Sequence, residues 1–181
     1  MQFIPIDPNV EVNGRTIMAF VTAMPAFQST FESILSESGL VNLQPDDWYP
    51  QSKWLNAFEK VGKKLGSNTL FTIGKAIPEN AEFPPQINNL RSALESINMA
   101  YQMNHRFGEI GYYKLIAFND DLRTAIMECM NPYPSDFDRG IITTMVRKFK
   151  PISSLVITVE LDHNKPTRLN GSDSCTYRIS W

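Results

Sequence analysis

Three features of the chain predict an α+β fold: an antiparallel sheet of about four strands packed by helices, with an N-terminal hairpin and helical region. Apolar residues recur at helical spacing from Phe27 to Tyr101. From Tyr112 onward the pattern turns to short apolar runs separated by turn residues. Helices come first, then strand, strand, helix, strand, strand. That is the order of an α+β protein with an antiparallel sheet rather than of a β-α-β alternation.

The first segment holds extended apolar pieces around Asn13-Gly14, a strong short hairpin signal, so a hairpin or arm is expected with Val10, Val12 and Ile17 to Val21. Pro25 opens a helix whose Phe27, Phe31, Ile34 and Leu35 share a face, and Gly39 closes it. "LVNLQPDDWY" reads as a loop. Pro50 starts a second helix carrying Trp54, Leu55, Phe58, Val61 and Leu65, with Gly66 after it. Asn68 can cap a third, which Pro78 ends. Beyond the proline-rich connector "PENAEFPPQ", a long helix follows with Ile87, Leu90, Leu94, Ile97 and Tyr101 in its stripe.

"YYKLIAFN" and "LRTAIMECM" are strands joined by an Asn119-Asp120-Asp121 turn, and "SSLVITVEL" and "SCTYRISW" supply two more. Between these pairs lies "NPYPSDFDRG". Ser135 and Asp138 stand in capping-box spacing before a helical stripe running to Phe149, and Pro151 stops it. Asp136 and Asp138 fall in the first helical turn, where carboxylates meet the positive end of the helix dipole. Two residues apart on a helix they diverge, which makes them a poor acid/base pair. The passage therefore reads as a strand-to-helix switch rather than a catalytic loop. A single domain over residues 1–181 is expected, with hairpin and helices in 1–84 and the sheet-bearing core in 85–181.

Hydrophobic residues at 43% and aromatics at 11% suffice for a core and argue against disorder. A net charge of −2, without a Lys/Arg stripe, argues against nucleic acid as a partner. No stretch approaches the ~20 apolar residues that a spanning helix needs, and the N-terminus lacks the pattern of a signal peptide. Two cysteines make no disulfide framework, so a cytoplasmic protein with reduced, partly buried thiols is expected.

The chain has no dinucleotide fingerprint, Walker pattern, nucleophile elbow or H-E-x-x-H motif. His105 and His163 are the two histidines, the second in a turn after a strand. Cys129 and Cys175 lie on strands that can neighbour each other, but nothing in the spacing completes a tetrahedral site. The expectation is no bound metal and no catalytic residue. "MAYQMNHRFGEIGYY" concentrates aromatic and soft side chains where the long helix meets the sheet. It reads first as core packing. Its functional reading is the wall of an apolar ligand cavity: Tyr101, Met103, His105, Phe107 and Tyr112 are the candidate ligand-binding residues, with His105, Arg106 or Glu109 as polar handles.

The element order, with "CMNPYPSDFDRGII" and the closing "NGSDSCTYRISW", resembles the 4-vinyl-reductase-like domain, one of the ligand-binding domains of nitric-oxide signalling and Golgi transport. The resemblance covers roughly residues 85 to 181. It implies a sensory or regulatory role: binding a small hydrophobic molecule, as a dimer or beside a signalling protein. Some relatives look like zinc proteins. Here Cys175 matches a closing-strand cysteine and Cys129 lies near a second, but Ser135 stands where another thiol is expected. Haem-binding cousins carry Y-x-S-x-R and a proximal histidine. The nearest stretch here is Tyr133-Pro134-Ser135-Asp136-Phe137, which lacks the arginine, so no cofactor is expected.

Three roles follow: a non-catalytic ligand-binding domain, a dimeric interaction scaffold without a ligand, and an accessory of tetrapyrrole vinyl reduction. The first is the expected one.

Overall fold

The computed structural model describes residues 1–22 and 24–181. Its strands form two antiparallel sheets. The small sheet joins β1 (Glu11–Asn13), β2 (Trp48–Pro50) and β3 (His105–Arg106), with β1 in the middle. The larger contains β4 (Tyr112–Asn119), β5 (Thr124–Met130), β6 (Thr158–Leu161) and β7 (Ser174–Ser180), ordered β4-β5-β7-β6. The described residues also form six α-helices: α1 (Gly14–Thr22), α2 (Gln28–Glu37), α3 (Gln51–Leu65), α4 (Ser67–Glu79), α5 (Leu90–Met103) and α6 (Ser135–Phe149). The α+β class and the four-stranded antiparallel sheet are as the sequence predicts.

Asn13-Gly14 is not a hairpin turn. Asn13 ends β1 and its Oδ1 accepts the Arg15 N–H at 2.9 Å, which starts α1. Gly14 is required for a different reason: a Cβ there would lie 2.0 Å from the Gln44 carbonyl oxygen. The partners of β1 are therefore distant segments, one of them the expected loop residues Trp48 and Tyr49.

Other helix ends follow local chemistry more closely. Gly39, at φ +76°, lets the Leu40 N–H reach the Leu35 carbonyl at 2.9 Å and closes α2. Asn89 and Ser92 cap α5 reciprocally, so that helix starts at Leu90 and Ile87 precedes it. Gly66, not Asn68, is the residue before α4, which runs one residue beyond Pro78.

The start of α6 departs from expectation. Pro134 is the residue before the helix, and the Ser135 hydroxyl caps nothing. Gln2 supplies the acceptor instead, its Oε1 taking the Ser135 N–H at 2.7 Å. Asp136 and Asp138 both lie in the first turn as expected; Asp136 pairs with Arg139 at 3.0 Å, while Asp138 is wholly buried.

Helices α4 and α6 pack at backbone distance. A Cβ on Gly74 would sit 2.1 Å from the Phe137 carbonyl oxygen, and one on Gly140 2.3 Å from that of Phe71. Around this contact the core runs through both halves of the chain: Phe58 of α3 packs on Phe137 at 4.9 Å and on Tyr133 at 5.5 Å between centroids. In "SSLVITVEL" only Thr158 onward is strand, and Leu155 and Val156 stand exposed. Cys129 and Cys175 face each other across β5 and β7, both free and fully rather than partly buried. Among the described residues no helix is long and apolar enough to cross a membrane.

Candidate functional site

An apolar cavity of about 130 Å³ lies where α3, α4, α5 and α6 meet the sheet. The stripe of α5 turns Ile97, Ala100 and Tyr101 toward it. From α6 come Phe137, Ile141 and Met145, from α3 Trp54, and from the connector Phe83. Polar groups in the wall include His105, which follows α5, and Tyr133, held in the rigid Pro132–Pro134 switch, together with Thr16, Ser96 and Asn104.

His105 is ordered through both ring nitrogens. Nδ1 lies 2.8 Å from the Tyr101 carbonyl oxygen and Nε2 lies 2.7 Å from the Tyr133 hydroxyl. A carbonyl can only accept, so Nδ1 carries the proton and Nε2 accepts from Tyr133. Burial lowers the His105 pKa to about 4, only partly countered by the bond to Tyr101, so the ring is neutral at pH 7. The Tyr101 hydroxyl donates to the Ile110 carbonyl. Burial pushes the Tyr133 phenol up; Gln51 and Trp54, which lie beside it, pull it back down. Neither the Trp54 N–H nor the Gln51 amide makes a hydrogen bond of normal geometry there, although both side chains are buried.

Behind the cavity lies a charged network. Asp138 Oδ1 accepts the Tyr113 hydroxyl at 2.5 Å, the Asn131 amide reaches both carboxylate oxygens, and the Arg168 guanidinium donates to Oδ2. Arg168 also donates to Asn131 Oδ1 and, at 2.6 Å, to the Asn131 carbonyl. Burial raises the Asp138 pKa against Arg168 and these hydrogen bonds. At Arg168 burial opposes the charge, but the Asp138 carboxylate outweighs it and the pKa rises. Every bond at Asp138 arrives from a donor, so the pair is ionic.

Of the candidate binding residues, Tyr101 and His105 line the cavity. Met103 (71% exposed) and Phe107 (59% exposed) face solvent outside it. Tyr112 lies on the sheet, its hydroxyl donating to Glu128 Oε1 at 2.6 Å. Arg106 pairs with Glu11, and Glu109 accepts the Gly111 N–H, so neither is a handle at the cavity. The stretch Tyr101–Tyr113 therefore contributes only part of the wall. Trp54, Phe137 and Met145, on stripes that read simply as core, and Tyr133, from the strand-to-helix switch, complete it. Among the described residues no cluster of three or more His, Cys, Asp or Glu side chains is arranged to hold a metal ion.

No protein-family model matches the chain, and no curated protein does. Solved structures do. An H-NOX protein from S. oneidensis in the Fe(II) ligation state, a triple mutant, superposes with a TM-score of 0.68 at 10% identity, over 93% of this chain and 95% of that one. The chain has the H-NOX fold. A Cs H-NOX mutant gives 0.68 at 16% identity, over 93% and 95% of the two chains. An oxygen-binding H-NOX domain related to soluble guanylate cyclases, in its oxygen complex, gives 0.64 at 15%, over 93% and 94%.

Proposed function

We propose that the chain is a non-catalytic sensory or regulatory domain that binds a small hydrophobic molecule in the cavity between α5, α6 and the sheet. Tyr101 and His105 are the proposed contacts from the candidate set. The supporting observation is a cavity of about 130 Å³ whose lining is mostly apolar, with His105 and Tyr133 among the polar groups in its wall. A void of about 150 Å³ lined by aliphatic and aromatic side chains is known to admit benzene, so the volume suits one small ring.

Structures of this fold include studies of haem distortion in the H-NOX family, which makes haem the group to test. The residues here do not fit it. Cofactor pockets occupy roughly 300–1,000 Å³, well above this cavity. The His105 lone pair that would ligate a metal is taken by Tyr133. Phe137 stands where the haem-binding motif has arginine, and Arg168 is engaged by Asp138. The same volume argues against a tetrapyrrole for the 4-vinyl-reductase-like identification, which we keep as a reading of the two sequence motifs.

The test is thermal denaturation with toluene as probe, beside a haem titration followed in the visible region. A saturable rise in Tm with toluene and no ligated haem spectrum are expected. No shift at any soluble toluene concentration would overturn the proposal.

A second reading, a homodimer or a scaffold for a signalling protein, is favoured by one loop: Ile152, Leu155 and Val156 are 99%, 92% and 75% exposed. Light scattering that shows a strict monomer counts against the dimer.

A further inference from the structure

Resting on the homodimer reading of the exposed loop, we infer that two copies of the chain join through β6, antiparallel about a two-fold axis, and merge their four-stranded sheets into one.

The sheet has two edges, β4 and β6, and they are finished differently. At β4 the register shifts between Leu115 and Ala117, and the α5 side chain Asn98 accepts the Tyr113 N–H at 3.0 Å. A bulge and an occupied donor close that edge to further pairing. β6 has neither. It pairs with β7 in unbroken register from Thr158↔Ser180 to Leu161↔Tyr177. From Leu155 to Leu161 the chain reads "LVITVEL", without proline or glycine and with Glu160 as its one charge.

That run is longer than the partner it has. β7 ends at Ser180, opposite Thr158, so Leu155, Val156 and Ile157 lie beyond the last paired residue. Among the described residues none of these three has a backbone hydrogen bond. Val156 and Ile157 are β-branched, the type that strands favour, and Leu155 and Val156 are 92% and 75% exposed. A second copy of the segment answers both needs. It offers a complementary row of N–H and C=O groups, and it covers the apolar side chains.

Charge fits the same arrangement. With Thr158 at the axis, Val156 faces the partner's Glu160, so the two glutamates stay apart. Arg123, which donates to Ser153 Oγ at 3.1 Å, then stands at the end where the partner's Glu160 and Asp162 arrive. The two-fold pair uses both open edges, and because β4 is closed, assembly stops at a dimer.

Sedimentation equilibrium and amide hydrogen exchange on the full chain test this. The unmodified protein should dimerise, and exchange over residues 155–161 should slow as concentration rises through the transition, while that of Tyr112–Asn119 stays constant. Leu155→Asp combined with Val156→Asp should weaken the dimer by about a hundredfold, because two apolar contacts are lost and a carboxylate at 156 faces the partner's Glu160. Both side chains are exposed in the single chain, so an unchanged circular dichroism spectrum is expected. Should the variant misfold, the exchange pattern of the unmodified protein decides alone. A dimer whose 155–161 amides gain no protection, or one that the folded double variant leaves intact, overturns the β6 junction but leaves the homodimer reading. Assemblies that keep growing with concentration also overturn it, since they need a second open edge. A strict monomer at every concentration overturns both.

Discussion

Asp138 of α6 and Arg168, from the turn before β7, form an ion pair with no solvent exposure on either side chain. Thirty residues apart in the chain, they join the helix, the strand-to-helix switch through Asn131, and β4 through Tyr113. Such a pair is strongly destabilising when halved, because the remaining charge stays buried alone. Arg168→Met should cost about 3–5 kcal/mol in urea denaturation. The double variant Asp138→Leu, Arg168→Met should be more stable than either single variant. Additive losses would mean that the pair is less shielded than its burial implies.

Stability should fall on acidification through His105. Its folded pKa, about 4, lies below the ordinary 6.5, so between these values the unfolded chain binds the extra proton. The contribution is complete above pH 6.5 and lost as pH drops through 4. Full loss amounts to about 3 kcal/mol. Denaturation of the unmodified protein and of His105→Gln at several pH values checks this: the slope between pH 6.5 and 4 should flatten in the variant.

The Gly74 contact leaves no room for a methyl group, since the obstacle is the Phe137 backbone carbonyl at 2.1 Å from an added Cβ. Backbone cannot swing aside as a side chain would. Gly74→Ala should therefore destabilise by about 2–3 kcal/mol, despite alanine's better helix propensity. Chemical denaturation followed by circular dichroism measures it.

Capping of α6 by Gln2 gives a paired outcome. Gln2→Ala removes the acceptor for the Ser135 N–H and should cost about 1 kcal/mol. Ser135→Ala, whose hydroxyl caps nothing, should change stability by less than about 0.5 kcal/mol. The reverse ranking would return the cap to Ser135.

Cys129 and Cys175 should ignore a thiol reagent in the native state. Both are fully buried, and burial, with the Asp138 carboxylate adding to it, pushes the Cys129 thiol well up. Ellman's reagent should count two thiols in denaturant and none before unfolding. Fast labelling of the folded protein would show that the β5–β7 region opens.

What the sequence by itself determined were the elements whose signals are local. The stripe of α3, the capping glycine of α2 and the β4–β5 hairpin each depend on residues within a few positions of one another, so pattern and turn chemistry suffice. Tertiary structure alone decided which reading a locally ambiguous residue takes. Asn13-Gly14 carries a hairpin signal, yet the close approach of the Gln44 carbonyl makes Gly14 a helix start. An aspartate in a first helical turn reads as a partner of the dipole, yet Asp138 is buried because Arg168 arrives from far along the chain. Ser135 has cap spacing, but Gln2, at a separation of 133 residues, holds its N–H. The cavity belongs to this second group. Tyr101 and His105 were legible from an aromatic-rich stretch, whereas Trp54 and Phe137 on their stripes look like any other core residue. Periodicity reports which face of an element turns inward. Whether that face meets another side chain or an unfilled space depends on how helices distant in sequence pack, and here the Gly74–Gly140 contact between α4 and α6 sets that spacing.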